Sequence, residues 1–487
     1  MQSFAIFVNG VWRQAAGGRT FQSIEPFTGQ PWATIPDSTE ADVADAVSGA
    51  YAALTGAWRD TMPTERGRLM FALADILDEN AEELAHIEAR DNGKVLREMV
   101  GQARALSGWY RYFGGFADKI SGRTIAADKK DFHTYTLKEP VGVVGAITAW
   151  NSPVLLLAYK LAPALAAGCT VVVKPSELAS ASTLKFAEYF ERAGFPAGVL
   201  SVVTGGPAVG QALVAHPDVN MVSFTGSTDV GRKIGAAAIA HFAKVSLELG
   251  GKSANIVFAD ADLDKAVNGV IAGIYAAAGQ TCMAGSRLLV HESIADELVA
   301  RVSERARTIV VGDPLSLDTE MGPLIGPASV SRIHNIVSGA LDDGADAPAG
   351  GAPLVDLGPA FYSPTVIDHV TPSMAIATTE LFGPVIAVQR FSTEEEAIAI
   401  ANSTEYGLAA GLWTENVSRA HRVADRLVAG TIWVNSYRTV SFAVPTSGRK
   451  NSGIGTENGI EAVDEFLKTK AVWINLSDTT RDPFTIG

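Results

Sequence analysis

A cysteine in the stretch GQTCMAGSR, residues 279–287, is the first candidate for chemistry. The chain has only two cysteines, and Cys282 comes near the end of an uncharged run, 266–286, that is rich in alanine and glycine. Such a run predicts burial, and a buried cysteine is usually an inert part of the core. The neighbours of Cys282, however, have the pattern of neither a strand nor a helix. We therefore expect a ligand to approach this sulfur closely.

A glutamate in the stretch LELGGKSANIV, residues 247–257, is the second candidate. Glu248 lies between two leucines and shortly before Gly250 and Gly251, so its carboxylate is expected to point into a dry space. Burial raises the pKa of a carboxyl group and lets it act as a base near neutral pH. The alternative is an ordinary strand glutamate held by an ion pair.

Polar clusters at 148–151, 174–177 and 225–228 follow predicted strands, where ligands of open α/β sheets bind. A carboxylate can accept both hydroxyls of a ribose, and a lysine can donate to the same sugar. Lys174 and Glu177 therefore favour NAD, and the charge of Glu177 disfavours the 2′-phosphate of NADP. The alternative is a solvated ion pair between these two residues.

Glycines before predicted helices give a weaker nucleotide signal. Gly226 and Ser227 precede a helix whose free N–H groups suit a phosphate, although serine caps are common. The G-x-G-x-x-G fingerprint of dinucleotide-binding domains is absent, and Gly206 and Gly210 have only a looser spacing. NAD binding therefore does not follow from spacing alone.

The elements that must position these residues alternate between strand and helix. The strand-like runs lie at 141–147, 170–174, 199–203, 219–224, 254–258, 287–291, 385–391, 409–413 and 431–434. The helix-like stretches lie near 154–167, 180–193, 207–215, 229–241, 262–277, 292–309, 393–402 and 416–428. This alternation predicts parallel sheets in two α/β domains with a cleft near Gly250 and Gly251. A further amphipathic helix is predicted over 64–93, capped by Thr64 and ended by Gly93.

Composition limits the class of protein. The 487 residues include 39 basic and 53 acidic ones, a net charge of −14, which argues against nucleic acid and anionic membranes as partners. Two cysteines give no disulfide framework, the N-terminus lacks a secretory pattern, and 266–286 is too polar for a membrane span. The eight histidines lack metal-ligand spacing. We expect a cytoplasmic protein without a metal site.

Eight segments together resemble the aldehyde dehydrogenase superfamily, and the resemblance covers nearly the whole chain. In family order they are AWNSP (149–153), VVVKPSE (171–177), FTGST (224–228), LELGGKSANIV (247–257), GQTCMAGSR (279–287), ELFGPV (380–385), GTIWVN (430–435) and SGIGTENG (452–459). Each is modestly specific, but their order and spacing are typical of the family. The missing glycine fingerprint is then expected, because this family has a variant nucleotide-binding domain.

The resemblance implies a hydrolytic NAD(P)-dependent enzyme with Cys282 as nucleophile, Glu248 as general base and Asn151 as the side-chain donor of the oxyanion hole. A Cys282 thiohemiacetal would lose hydride to NAD, and water activated by Glu248 would release the thioester as the acid. The implied cofactor-binding residues are Thr148, Trp150, Lys174, Glu177, Gly210, Gly226, Ser227, Leu249, Glu380 and Phe382.

The implied fold is α/β, with a variant Rossmann-like nucleotide-binding domain, an α/β catalytic domain and a small β oligomerisation arm. The expected ranges are 1–120 and 140–250, then 251–450, then 121–139 and 451–487 for the arm and C-terminal tail. A strand-like stretch at 469–476 needs a partner, and pairing with a neighbouring subunit is one solution. The resemblance implies a homodimer or homotetramer.

Departures from the family bear on the substrate. PTSG (445–448) stands where many members have PFGG, and Ser152 replaces the usual aromatic residue after the oxyanion asparagine. Ser152 and Ala276 should widen the aldehyde tunnel, which predicts a bulky aldehyde, aromatic or cyclic; compensation by neighbouring loops is the alternative. The expected lining residues are Trp109, Tyr110, Tyr159, Tyr437 and Phe442. Only Arg438 and Arg449 are left to hold a substrate carboxylate, so semialdehydes are less favoured.

Three other functions share parts of this pattern. A coenzyme A-acylating member would pass the thioester to coenzyme A, but such members generally lack the glutamate at the position of Glu248. An inactive nucleotide-binding structural protein would not need Asn151, Glu248 and Cys282 together. A thiol esterase would leave the cofactor residues, such as Lys174, without a role.

Overall fold

Helices pack against two large, mainly parallel sheets in the computed structural model, which describes residues 1–478, 480 and 482–484. The strands are β1 (Gln2–Ser3), β2 (Ile6–Val8), β3 (Val11–Arg13), β4 (Thr20–Glu25), β5 (Gln30–Pro36), β6 (Thr124–Ile125), β7 (Phe132–Pro140), β8 (Val143–Thr148), β9 (Thr170–Pro175), β10 (Leu200–Val202), β11 (Val219–Thr225), β12 (Lys244–Glu248), β13 (Ala254–Val257), β14 (Arg287–His291), β15 (Asp346–Ala349), β16 (Thr365–Asp368), β17 (Val385–Phe391), β18 (Tyr406–Gly407), β19 (Ala409–Trp413), β20 (Thr431–Val434), β21 (Arg449–Lys450), β22 (Gly453–Ile454) and β23 (Leu467–Asn475).

The α-helices are α1 (Glu40–Thr55), α2 (Ala57–Asp60), α3 (Pro63–Glu79), α4 (Ala81–Asn92), α5 (Leu96–Gly114), α6 (Pro153–Ala167), α7 (Ala181–Arg192), α8 (Pro207–Ala215), α9 (Thr228–Ile239), α10 (Leu263–Ile274), α11 (Ala295–Thr308), α12 (Pro327–Asp342), α13 (Ala375–Thr378), α14 (Glu394–Asn402), α15 (Val417–Arg426) and α16 (Glu461–Glu465). Short 3-10 helices span Ala276–Gly279 and Glu292–Ile294. None of the helices in the described part of the chain is both long and apolar enough to cross a bilayer.

The first sheet has the strand order β22-β12-β11-β8-β9-β10-β2-β3. Its five central strands, β12 to β10 in that order, are parallel, and antiparallel strands close both edges. Strands β8 and β9 are buried along their whole length, as their continuous apolar runs predict for a sheet covered by helices. The carboxyl ends of β8, β9, β11 and β12 therefore meet at one edge, where a ligand site is expected.

The second sheet has the strand order β15-β16-β17-β14-β13-β19-β20 and is parallel except for β15. Residues 249–253 connect the carboxyl end of β12 directly to the start of β13. The ligand-binding edge of the first sheet therefore faces the amino ends of strands in the second. This is the α/β architecture predicted from the sequence, in which a parallel sheet lies on each side of Gly250 and Gly251.

The third sheet, β23-β7-β6, contains the predicted arm and tail. Strand β23 pairs with β7 of the same chain along nine residues, from Leu467 opposite Pro140 to Asn475 opposite Phe132. A partner within the chain therefore satisfies one side of this strand, while its other side lies at the edge of the sheet. An oligomerisation role for the sheet stays a prediction.

Residues 63–92 differ from the prediction of one helix over 64–93. They form α3 and α4, separated at Asn80, whose side-chain amide donates to the carbonyl of Ile76 (2.7 Å) and so caps the end of α3. Pro63 occupies the first turn in place of a Thr64 cap, because a proline there loses no helical hydrogen bond. Gly93 ends α4 with a left-handed φ of 79°, as predicted.

Arg287, at the start of β14, joins the second sheet to its surroundings. Its side chain is 2% exposed and donates to the carbonyls of Lys252 (2.8 Å), Ile400 (2.7 Å) and Ala401 (2.7 Å). We expect Arg287→Met to lower the free energy of unfolding by about 2–4 kcal/mol, because buried carbonyls lose their donors. Urea titration followed by tryptophan fluorescence measures this change. The exposed Arg232→Met is the matched control, and equal stability of the two variants would contradict the assignment.

Candidate active site

Cys282 lies on an irregular loop between α10 and β14, as the sequence predicts. The loop begins with a 3-10 turn in which Ala277 (φ 55°) and Ala278 (φ 52°) are left-handed. This conformation is unfavourable for alanine, by roughly 1 kcal/mol per residue, so packing must maintain it. Contacts of that kind are present, since the N–H of Ala277 donates to Glu98 Oε1 (3.2 Å) and the side chain of Gln280 accepts from the N–H of Ile325 (2.8 Å).

Gly250 and Gly251 bring the crossing between the sheets against this loop. A Cβ atom on Gly251 would lie 2.4 Å from the carbonyl oxygen of Cys282, and one on Gly250 would lie 2.4 Å from Glu380 Oε2. The N–H of Gly251 donates to Glu380 Oε1 (3.0 Å). Residues without a side chain are therefore required where Glu248, Cys282 and Glu380 converge.

Glu248 ends β12 and is 7% exposed, in agreement with the dry environment that its leucine neighbours predict. Its Oε1 atom has no hydrogen-bond partner among the described residues. Burial, followed by the negative charge of Glu457, raises the pKa of Glu248 well above its ordinary value, and Lys160 opposes this rise. A carboxyl group in this environment holds and releases a proton nearer neutral pH.

A buried ion pair behind Glu248 was not predicted from the sequence. The ammonium of Lys160, on α6, donates to Glu457 Oε1, and both side chains are almost fully buried. The backbone of Glu457 is fixed by two hydrogen bonds with Thr446, of 2.7 and 2.8 Å. The PTSG segment (445–448), which contains Thr446, therefore positions Glu457 through main-chain hydrogen bonds. The available signal was a single lysine within the apolar helix 153–167.

The thiol of Cys282 is half-buried beside these carboxyl groups. Burial, then the charges of Glu248 and Glu380, raise its pKa to about 12. The thiol is therefore protonated at neutral pH in this state, and a base must remove its proton before the sulfur can attack.

Asn151, the predicted side-chain amide donor, lies against the loop that carries Cys282. It is 6% exposed, and its Nδ2 atom donates to the carbonyl of Gln280 (3.0 Å), two residues before Cys282. An amide nitrogen has two N–H groups, so one remains for an oxygen of a ligand. The loop that carries the cysteine thus also orients the amide.

Two of the predicted cofactor-binding residues, Trp150 and Phe382, meet across the two sheets. The ring of Trp150, after β8, packs edge-on against the ring of Phe382, before β17, with 5.4 Å between centroids. Phe382 has a left-handed φ of 52°. Burial raises the pKa of Glu380, while the N–H of Gly251 opposes the rise.

The remaining predicted cofactor residues lie along the carboxyl edge of the first sheet. Lys174 is buried and forms an ion pair with the half-exposed Glu177 (Nζ–Oε2 3.1 Å), which is the alternative considered for these two residues. The pair does not conflict with a role in binding a sugar. Thr148 has a buried hydroxyl without a partner among the described residues, and a Cβ on Gly210 would lie 4.0 Å from Lys174. Polar atoms at this edge are thus available for a ribose.

The start of α9 completes this edge. Gly226 donates its N–H to the carbonyl of Glu248 (3.0 Å), and Ser227 caps the helix without a side-chain hydrogen bond. Leu249 packs closely on Gly231, where a Cβ would lie 2.3 Å from the leucine. The first turn of the helix therefore keeps free N–H groups, which fit a pyrophosphate.

Three of the five aromatic residues expected around the tunnel form one cluster, and Tyr437 lies apart from it. The ring of Trp109 stacks on that of Tyr159 (5.3 Å) and meets that of Phe442 edge-on (5.7 Å). The hydroxyl of Tyr437 donates to the carbonyl of Met283 (3.1 Å), beside the cysteine. Tyr110 does not belong to this cluster, because its ring faces the core and stacks on Phe186.

The two candidate arginines differ in position. Arg449 is exposed on β21, which pairs with β18. Arg438 donates to the carbonyl of Ala272 on α10 (3.1 Å). Burial lowers the pKa of Lys94, and the positive charge of Arg438 contributes to lowering it. In the described residues no group of histidine, cysteine and acidic side chains could hold a metal ion.

Comparison with known proteins identifies this arrangement. The model of the aldehyde dehydrogenase family matches residues 12–472. The chain belongs to the aldehyde dehydrogenase family. It is 45% identical, over the full length of both chains, to a (Z)-2-((N-methylformamido)methylene)-5-hydroxybutyrolactone dehydrogenase of Acinetobacter baylyi. It is also 45% identical to an aldehyde dehydrogenase of Aspergillus niger, over 98% of this chain and 96% of the relative.

Solved aldehyde dehydrogenase structures share the fold. The NAD⁺ complex of a Bacillus cereus enzyme has a TM-score of 0.96 and 42% identity, over 98% of this chain and 97% of that one. An NAD⁺ complex of betaine aldehyde dehydrogenase from Staphylococcus aureus has a TM-score of 0.97 and 37% identity, over 100% and 98%. These matches confirm the predicted family, α/β fold and oxidoreductase class, and the similar structures include NAD⁺ complexes, as the expectation of NAD requires.

The environment of Cys282 predicts its reactivity toward iodoacetamide at mildly alkaline pH. We expect Glu248→Gln to speed alkylation of Cys282 severalfold, because removing a neighbouring negative charge lowers the pKa of the thiol. Mass spectrometry of the modified peptide measures the rate. The exposed Glu415→Gln is the control variant, and the fully buried Cys169, whose pKa burial raises to about 11, serves as an internal reference. An unchanged or slower rate would contradict this electrostatic coupling.

Proposed function

We propose that this enzyme oxidises an aldehyde to the carboxylic acid with NAD, through a covalent intermediate on Cys282. One observation carries the proposal. The amide of Asn151, the thiol of Cys282 and the partnerless Oε1 of buried Glu248 converge where the two sheets face each other. A nucleophile, an oxyanion donor and a base within one dry site are the groups that acyl chemistry needs.

Attack by the sulfur is the first step. Glu248 is a base with a raised pKa beside the thiol and is suited to accept its proton. The sulfur then adds to the aldehyde carbon, and the free N–H of Asn151 donates to the oxygen that becomes negative. One such donor typically contributes about 3 kcal/mol to the transition state. The hydrogen bond from Asn151 Nδ2 to the carbonyl of Gln280 supports this role, because it orients the donor before the reaction.

The edge of the first sheet fits NAD by its donor set. Glu177 and Lys174 would hold the adenosine ribose, the first turn of α9 with Gly226 and Ser227 the pyrophosphate, and Glu380 with Phe382 the nicotinamide end. The partnerless hydroxyl of Thr148 supports this fit, as do the NAD⁺ complexes of similar enzymes. NAD supplies the hydride acceptor of the oxidation.

Hydrolysis of the Cys282 thioester is the last step. Glu248 takes a proton from a water molecule that attacks the thioester, and the acid leaves as the thiol re-forms. Lys160 and Glu457 lie behind Glu248 and set its charge environment. The presence of a buried glutamate here supports hydrolysis over transfer to coenzyme A. We further propose a homodimer or homotetramer, located in the cytoplasm, as the working form.

A bulky or cyclic aldehyde is the proposed substrate, because Ser152 and Ala276 leave space where an aromatic residue is usual. The relative from Acinetobacter baylyi supports a substrate of this kind, since its name specifies a 5-hydroxybutyrolactone. A 5-hydroxybutyrolactone is a cyclic compound that opens to a chain bearing an aldehyde and a carboxylate.

Rapid-mixing measurement of NADH tests the division of roles. Cys282→Ala should give no NADH, because no covalent adduct forms. Glu248→Gln should still give a first turnover of about one NADH per active site, although more slowly because the thiol has lost its proposed base, and should lose roughly 10²–10⁴-fold in steady-state rate because water is no longer activated. Glu415→Gln is the control.

Two outcomes would contradict this division. If Glu248→Gln kept the wild-type steady-state rate, Glu248 would not be the residue that activates water. Acyl-coenzyme A as the product, when coenzyme A is added to the wild-type enzyme, would favour the acylating alternative.

Cofactor choice is tested at Glu177. We expect Glu177→Ala to raise KM for NAD about tenfold, because the ribose loses a charged acceptor. The preference of the enzyme for NAD over NADP should also decrease, because the carboxylate no longer repels the 2′-phosphate. Initial rates with both cofactors measure this effect, with the exposed Glu395→Ala as control. If the ratio of kcat/KM with NAD to kcat/KM with NADP did not change, the ribose would not bind at Glu177.

A further inference from the structure

Lys94 is a buried cation close to the proposed site. It is 5% exposed, and its Nζ atom donates to Ser152 Oγ (2.9 Å) and Gln102 Oε1 (3.4 Å). Across the described residues its ammonium has no carboxylate within 4.0 Å. Buried ammonium groups are normally paired with an anion, and this one retains an unused N–H. The side-chain Nε2 of Gln102 is also buried without a partner in the described part of the chain.

Hydrogen bonds tie Lys94 to the segment that carries the oxyanion donor. The side-chain amide of Asn92 donates to the carbonyls of Trp150 (3.4 Å) and Asn151 (3.5 Å). The N–H of Lys94 in turn donates to Asn92 Oδ1 (3.0 Å). Ser152, the partner of the ammonium, directly follows Asn151. The cation is therefore held at a fixed place next to the amide that would bind the aldehyde oxygen.

The charged groups around Lys94 face it without forming an ion pair with it. Glu98 and then Glu88 oppose the loss of its charge on burial, and Arg438 adds a second positive charge. Glu98 instead accepts from the N–H of Ala277, and neither carboxylate lies within 4.0 Å of the ammonium. A carboxylate ligand would therefore be the first anion in direct contact with Lys94.

We propose that Lys94, with Ser152 and Gln102, binds a carboxylate at the far end of the aldehyde, so that the substrate is an oxo acid. The small Ser152 is what makes this possible, because an aromatic side chain at that position would stand between the ammonium and the substrate space. This inference rests on the proposed oxidation of aldehydes and narrows its substrate class. It replaces the aromatic aldehyde with an anionic one, in open-chain or hydroxylactone form.

A matched pair of aldehydes tests the inference on the full-length enzyme with NAD. The probes are 4-oxobutanoate and pentanal, which have similar length and differ in charge, with benzaldehyde as a third substrate. We expect wild-type kcat/KM to favour 4-oxobutanoate over pentanal by about tenfold or more, as a charge-assisted hydrogen bond provides. Lys94→Met should abolish this preference, because kcat/KM for 4-oxobutanoate falls by a larger factor than kcat/KM for pentanal.

Control variants separate recognition from folding. Lys94→Arg keeps the charge and should retain part of the preference, and the exposed Lys130→Met, which has the same change in composition, should retain all of it. If Lys94→Met does not fold, the wild-type enzyme provides the test. Its preference for 4-oxobutanoate over pentanal should then decrease as salt is added. A wild-type enzyme that favours pentanal or benzaldehyde, or a preference that persists in Lys94→Met, would overturn the inference.

Failure of the proposed oxidation gives a different result. In that event none of the three aldehydes yields NADH that depends on Cys282. Calorimetric titration of succinate into wild-type and Lys94→Met protein then still reports on the carboxylate site. Binding that the variant loses would support the site, and equal or absent binding in both would overturn it.

Discussion

The short crossing between the two sheets is the constraint on which the active site depends. Residues 249–253 leave the carboxyl end of one parallel sheet and enter the amino end of the other, with no room for a loop. Gly250 and Gly251 make this passage sterically possible, since a side chain at either position would strike Glu380 or Cys282. The same passage sets Glu248 beside the cysteine. The proposed catalytic and nucleotide-binding groups from different sheets thus share one site, because the backbone can approach them closely.

Burial governs the chemistry at this crossing. Burial raises the pKa of Glu248, Glu380 and Cys282, and the negative charges of the two carboxylates raise the pKa of the thiol further. The ion pair of Lys160 and Glu457 supplies both signs of charge behind the base. Burial therefore disfavours the charged forms of the base and of the thiol alike.

Much of the fold follows from hydrophobic periodicity. Every strand and helix predicted between 141 and 250 is present, with ends shifted by a few residues, because buried parallel strands and amphipathic helices have distinct patterns. The break at Asn80 was missed since the apolar pattern continues through it. Tyr110 was misplaced because sequence does not fix which face of α5 meets the site. The roles of Lys94 and Lys160 depend on partners distant in sequence, such as Ser152 and Glu457, and only the folded chain brings these together.

The protonated state of Cys282 has a consequence for the lifetime of the enzyme. Oxidation of cysteine by peroxides proceeds through the thiolate and requires access to the sulfur. Burial and the neighbouring carboxylates raise the pKa of Cys282 to about 12 and so keep its thiolate fraction small. The resting thiol is therefore in the form that peroxides oxidise slowly. If Glu248 accepts the thiol proton as proposed, the transfer that prepares the sulfur for attack also opens it to oxidation.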